Sequence, residues 1–352
     1  MKKNTTLLLI NLFSITITYS QAGMWTWMHG SNLQNQNANY GIQGVAAVGN
    51  IPAGTYEGSE WTDLNGNFWL YGGLVSGGVS SALWKFNPLT TMWTWVQGPI
   101  TLNNSPVYGI KGVPAATNSP GMRGYGAFTW VDQLGDLWLF GAGVYSDLWK
   151  YNIATNMWTW VSGSNTTVFG VYGTQGIPSP TNFPSYKYEG NTCWVDNTGN
   201  LWLFGGYGTL GNLNDLWKYN IATNEWTWMR GSNTGNSVGN YGTIGVASPT
   251  NDPPAGSGNY TKWKDKNGDF WFFCNAFYNP QQGFVVSKND LWKYSVLLNQ
   301  WTCVRANGPS VISAPCIPNQ TNLPPARCEA RVCWVDSCGN FWFFGGADNQ
   351  NS

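Results

Sequence analysis

The sequence predicts an all-β fold of small four-stranded sheets stacked on one another, and three observations carry that prediction. One phrase recurs along the 352 residues: Trp-x-Asp, a Leu-Trp-Leu-Phe-type segment, Leu-Trp-Lys-Tyr, then Trp-Thr-Trp. Glycine (44) and tryptophan (23) are abundant while charged residues make up only 10%, which suits a packed body with many tight turns and not a disordered chain. The strands are apolar on both sides, as in Phe68-Trp69-Leu70-Tyr71, whereas a sheet with one wet face alternates with polar residues. Both faces of each sheet therefore need cover. Radial stacking of four-stranded sheets, the β-propeller arrangement, provides it.

Taken in order, residues 1–22 read as a secretory signal peptide. Lys2 and Lys3 give a positive start, and residues 7–17 are a mainly apolar stretch interrupted by Asn11 and Ser14. Small residues at Thr18 and Ser20 place cleavage near Ser20/Gln21. The run is short for a membrane span of about 20 residues, and no transmembrane segment is expected in the mature chain. Lys+Arg and Asp+Glu each total 17, so loss of Lys2 and Lys3 leaves a slightly acidic chain without a basic run. That excludes the electrostatic footprint of a nucleic-acid or anionic-membrane binder.

After the leader, residues 24–28 (Met24-Trp25-Thr26-Trp27-Met28) are an orphan copy of the last phrase. Four full units follow at about 56–97, 123–162, 187–230 and 256–305, and a partial unit at 327–346. Trp69, Trp138, Trp202, Trp271 and Trp342 mark the period, at intervals of 69, 64, 69 and 71 residues. A fixed period is read before any local motif. Aromatic and β-branched enrichment makes each unit four short strands. Asp-x-x-Gly joins the first two, as in Asp132-Gln133-Leu134-Gly135: Asp caps its own turn and Gly supplies the positive φ. Asp265-Lys266-Asn267-Gly268-Asp269 looks like a calcium loop, but the copies keep the turn residues and not a ligand set.

Connectors of some 25 to 35 residues separate the units and are themselves repeated, with Tyr-Gly-x-x-Gly at Tyr40, Tyr108, Tyr172 and Tyr241 and a later Asn-x-Pro at Asn50, Asn118, Asn182, Asn251 and Asn322. They are expected to be ordered elements on one rim. The fifth connector has Cys316 and no Tyr-Gly phrase, so a different order is expected there. All seven cysteines lie between Cys193 and Cys338. Cys328 and Cys333 are too far apart on one strand to bridge, Cys316 with Cys328 is the feasible pairing, and no C-x-x-C pair suggests zinc.

The double glycine Gly205-Gly206, with Tyr219 and then Trp226 seven residues on, resembles the kelch repeat. Gly72-Gly73 with Phe86 and Trp93 repeats it, and Gly345-Gly346 closes the series; Gly141-Ala142 and Cys274-Asn275 depart from it. The resemblance covers roughly residues 24–346 and is to the tryptophan-rich kelch units of secreted bacterial proteins, similar to the galactose-oxidase-type propeller. It implies a kelch-type β-propeller over residues 23–352 with one repeat per blade: four complete blades and a partial fifth, truncated or imperfectly closed.

No catalytic residue, cofactor or metal site is expected. His29 is the only histidine, too few for a copper-radical oxidase or a Ser-His-Asp triad. Glu60, Arg123, Lys187, Glu189, Arg327 and Arg331 lie on or near the first strands, which in propellers line the central channel, and are the candidate ligand contacts there. The functional expectation is a secreted or cell-surface, non-catalytic binding or scaffold module for a protein or carbohydrate partner. Specificity would reside in the unequal loops 206–214 and 275–289. The alternatives are a carbohydrate-active propeller enzyme using channel carboxylates and an architectural segment of a longer adhesin.

Overall fold

The computed structural model describes residues 26–190, 192–257, 261–279, 284–313 and 318–347, and every regular element among them is a β-strand. The first complete unit comprises Ser59–Thr62, Phe68–Tyr71, Leu83–Asn87 and Met92–Gln97. The second comprises Ala127–Val131, Leu137–Gly141, Asp147–Asn152 and Met157–Gly163. The third comprises Thr192–Val195, Leu201–Gly208, Gly211–Asn220 and Glu225–Arg230. The fourth comprises Lys262–Lys264, Phe270–Asn279, Phe284–Ser295 and Gln300–Arg305. The four strands of each unit form an antiparallel sheet in chain order, Ala46–Ala47 adding a fifth strand to the first sheet beside Met92–Gln97, and a two-stranded sheet, Cys328–Val335 with Phe341–Ala347, comes last.

The first hairpin of each unit is set by one carboxylate. Asp132 Oδ1 accepts the backbone N–H groups of Leu134 and Asp136 at 2.9 Å, and Oδ2 accepts the indole N–H of Trp138 at 2.7 Å. The same clamp recurs at Asp63, Asp196, Asp265 and Asp336. It fixes register, so that Trp61 faces Trp69, Trp130 faces Trp138, Trp194 faces Trp202, Trp263 faces Trp271 and Trp334 faces Trp342. The acidic loop beginning at Asp265 is one of these clamps.

Apolar faces on both sides of each strand are used as expected, because each unit packs on the next. Leu137, Leu139, Trp149 and Trp158 of the second unit meet Trp61, Trp69 and Tyr71 of the first. Equivalent clusters join the second to the third, the third to the fourth and the fourth to the last sheet. Indoles also cross the boundaries: Trp61 Nε1 donates to the Trp138 carbonyl at 2.9 Å, Trp130 to Trp202 at 3.0 Å and Trp263 to Trp342 at 3.1 Å. Trp194 reaches the carbonyl of Trp263 instead. Within units, edge-on pairs recur at Trp84–Trp93, Trp149–Trp158, Trp217–Trp226 and Trp292–Trp301. Each pair adds roughly 0.5–1.5 kcal/mol beyond area burial.

The connectors close on themselves through paired bridges, Asn39 with Ile51, Val107 with Ser119, Val171 with Phe183, Asn240 with Asp252 and Val311 with Leu323. Their buried asparagines tie them to the outer strand: Asn118 Nδ2 donates to the carbonyls of Val113 and Trp158, both at 3.0 Å. The fifth connector thus keeps the bridge; residues 314–317, with Cys316, lie outside the described residues, as does the side chain of Cys328, and with them the proposed pairing.

Three expectations need correction or limit. Residues 26–28 form no strand, and Trp27 is 66% exposed, while residues 1–25, including the leader and Trp25, lie outside the described residues. The stretches 206–214 and 275–289 are largely ladder and not irregular loop: Tyr207 pairs with Asn212, and Asn275 pairs with Lys288 on through Asn279 with Phe284. Pairing satisfies backbone groups that a long loop would leave to water. Among the described residues the sheets do not close into a ring. Trp334, Trp342 and Phe344 are 48%, 50% and 64% exposed, whereas the corresponding Trp130, Trp138 and Phe140 are buried.

Candidate functional site

The unequal links between second and third strands create a notch. In the first unit this link folds into the small strands Leu74–Val75 and Gly78–Val79. In the third unit the two strands run on past the sheet to a turn at Thr209 and Leu210. In the second unit only residues 142–146 separate Gly141 from Asp147. The low link between two tall neighbours leaves a cavity of about 490 Å³, lined by Val79, Tyr125, Ala142, Tyr145, Tyr188 and Glu189 among others.

The floor of the notch is three backbone segments stitched together. Gly124 N–H donates to the Ala142 carbonyl at 3.1 Å, Ala142 N–H to Lys187 O at 2.9 Å and Glu189 N–H to Tyr125 O at 3.3 Å. Ala142 and Glu189 both adopt left-handed φ values, 60° and 51°. Such conformations cost a non-glycine residue of order 1 kcal/mol or more and persist where surrounding bonds over-determine them. Ala142 occupies the second glycine position of the repeat, which explains the departure at Gly141-Ala142: the left-handed bend is kept and a methyl group is added.

Tyrosines dominate the walls. Tyr125 and Tyr188 lie 6.2 Å apart between ring centroids, Tyr188 stacks on Tyr186 at 6.3 Å and Tyr207 sits 5.2 Å from Tyr188. Burial raises the Tyr188 phenol, and the neighbouring Tyr207 and the Glu189 carboxylate raise it further. Tyr188 therefore stays neutral throughout the physiological range, and Glu189 lies close enough to act on it.

Of the six sequence-predicted contacts, Arg123 and Lys187 are not channel residues at all. Both side chains are fully buried beneath the notch. Arg123 Nη1 and Nη2 meet the Asp147 carboxylate at 2.8 and 2.7 Å, Nε and Nη2 donate to Pro120 O, and Nη1 donates to Gly141 O. Tyr108 and the Trp149 indole also donate to Asp147, each at 2.8 Å. Lys187 Nζ meets Asp215 Oδ1 at 2.6 Å, and Tyr172 donates to the same carboxylate at 2.7 Å. Burial lowers Lys187, with Asp215 opposing the shift; burial likewise disfavours the Arg123 charge, but Asp147 outweighs it. The physical reason for the correction is ion pairing: Arg123 and Lys187 lie in lead-in segments outside the strands and are turned inward by the buried Asp147 and Asp215 carboxylates. They are pillars of the notch, not its lining.

Glu60 and Glu189 do not converge. Glu60 lines a separate cavity of about 590 Å³ with Trp61, Phe68, Trp93, Thr129 and Lys262. Arg327 is half-buried at the lead-in to the last sheet, and Arg331 is on its strand Cys328–Val335, where its side chain lies outside the described residues. Sequence reading passed over Tyr125, Tyr145 and Tyr188. The available signal was the clustering of Tyr186, Tyr188 and Glu189 in one connector beside the shortest link of the series.

No protein-family model matches the chain. A solved structure of YjhT is similar over 83% of this chain and 81% of that one, with a TM-score of 0.45 and 14% identity.

Proposed function

We propose that the chain is a secreted or cell-surface kelch-repeat propeller that acts as a non-catalytic binding module for a glycan or protein partner. The observation that carries this reading is the notch: an open, tyrosine-lined cavity on a backbone-stitched floor, created where one link of a repeated frame is short. Its volume falls in the range of roughly 300–1,000 Å³ typical of small-ligand pockets. Two further observations weigh against the carbohydrate-active alternative. Glu60 and Glu189 line separate cavities, and the recurring aspartates are committed to hairpin clamps. Acid–base hydrolysis of a glycoside needs two carboxylates on one substrate.

The test is a glycan array probed with residues 21–352, with a cooperative melt as the folding control. Capture of one glycan class, lost in Tyr188→Leu, supports the reading. A folded chain that captures none redirects it to a protein partner or scaffold, and turnover of an arrayed glycan overturns the non-catalytic part.

A further inference from the structure

We propose that the chain associates head to tail with further copies of itself, the last sheet of one copy docking on the open face of the first unit of the next. The contact repeats a boundary that the chain already builds between its own units. At the first of these boundaries Trp61, Trp69 and Tyr71 meet Leu137, Leu139 and Trp158, and all six are buried. Hairpin register puts Trp334, Trp342 and Phe344 of the last sheet at the positions of Trp61, Trp69 and Tyr71. It puts Phe68 and Leu70 of the first unit at the positions of Leu137 and Leu139, and Trp93 at that of Trp158. One molecule therefore carries both halves of such a boundary, each of them bare. Phe344 is 64% exposed and Phe68 is 48% exposed, where their counterparts Tyr71 and Leu137 are buried.

The bare face of the last sheet is continuous. Val332 pairs across the hairpin with Phe344, and Trp334 with Trp342, so all four side chains lie on one side of it. Removing such a patch from water drives association. The indole bonds between units point to the same occupant. Trp61, Trp130, Trp194 and Trp263 each donate to a carbonyl of the following unit. Trp334 is the next in that series, and its Nε1 has no hydrogen-bond partner among the described residues. Trp69 holds, in the first unit, the position of the acceptors Trp138, Trp202 and Trp342. The receiving face also has room: Phe68, Leu70 and Trp93 line the cavity of about 590 Å³. Because the two surfaces differ, the contact is heterologous. Each copy that docks offers a fresh face to the next, so assembly runs past a dimer to a filament or a closed ring.

The experiment is sedimentation velocity on residues 21–352 over about a hundredfold range of concentration, with a cooperative melt as the folding control for every variant. The wild type is expected to shift with concentration from monomer to species larger than a dimer. Phe344→Glu and Phe68→Glu each put a charge on one of the two faces, and each is expected to weaken association at least about tenfold. Val332→Glu, at a 55% exposed position, and Phe68→Ala take their places if either does not fold. Each variant keeps the face that the other has lost. An equimolar mixture of the two is therefore expected to form a dimer of one copy of each that grows no further. A folded wild type that stays monomeric overturns the inference and leaves the bare face to closure on the chain's own first unit or to a partner of another kind. Association that survives either substitution, or a mixture of folded variants that does not pair, overturns it as well. No outcome touches the notch, so the binding-module reading stands or falls separately.

Discussion

Replacing Arg123 with methionine tests whether this residue is a pillar or a ligand contact. The guanidinium is fully buried, makes two bonds to Asp147 at 2.7 and 2.8 Å and caps the carbonyls of Pro120 and Gly141. Methionine fills much of the volume but strands the Asp147 charge in the core. Breaking a buried pair from one side costs about 3–5 kcal/mol. Adding Asp147→Asn removes the stranded charge while its amide oxygen still accepts from Tyr108 and Trp149. The double variant is therefore expected to recover about 2 kcal/mol of the loss. Urea unfolding followed by tryptophan fluorescence gives both numbers from midpoints at constant slope. A single variant costing under about 1 kcal/mol, or a double variant no more stable than the single, would refute the assignment of Arg123 to the core.

Trp130→Phe removes the indole donor to the Trp202 carbonyl across a unit boundary and should cost about 1–3 kcal/mol in the same assay, since it leaves a buried acceptor unpaired. Gly163→Ala should be much worse than Gly176→Ala: both have positive φ, but a Cβ at Gly163 would lie 1.8 Å from Ser146 O, while at Gly176 it meets nothing within 4 Å. The expected costs are about 3 and about 1 kcal/mol, read as thermal-melt shifts. Burial alone would raise the clamp carboxylates Asp63 and Asp196, but hydrogen bonds from Trp69 and Trp202 and their neighbours outweigh it and hold both below the ordinary 3.8. The unfolded chain then binds more protons, so their stabilisation is complete above about pH 4 and is lost as pH falls through the folded values; Asp196→Asn should flatten the acid limb of urea midpoint against pH, and an unchanged limb would contradict the clamp. Asp290 is raised, chiefly by burial, although Tyr241 and Lys288 oppose it. Ionising it in the fold is therefore unfavourable, and Asp290→Asn should destabilise the chain less at neutral pH than Asp147→Asn, which deprives Arg123 of its partner.

The repeat architecture was legible because each element rests on local chemistry. Asp-x-x-Gly dictates the hairpin, and tryptophans on both faces demand stacked sheets. The clamp from Asp132 to the Trp138 indole was only half legible: the turn follows from local sequence, but the indole bond depends on the register that the turn creates. Arg123 and Lys187, two of the six charged residues, were misplaced for a related reason. Proximity to a first strand says nothing about which way a side chain turns, and Arg123 and Lys187 are directed inward by Asp147 and Asp215, which lie 24 and 28 residues further along the chain. The notch was hidden because it comes from a difference in height between neighbouring units, visible only once links 142–146 and 209–210 stand side by side. Reading for the longest insertions drew attention to the rims and away from the hollow between them.

The indole-to-carbonyl bonds that cross each boundary have a mechanical consequence. Every unit holds chiefly its two chain neighbours, so the molecule resembles a row of latched plates more than a single block. Pulled from its ends, it should yield as a staircase of discrete releases. Each step would free the contour length of one period, and the latch at Trp130 would set one of the forces.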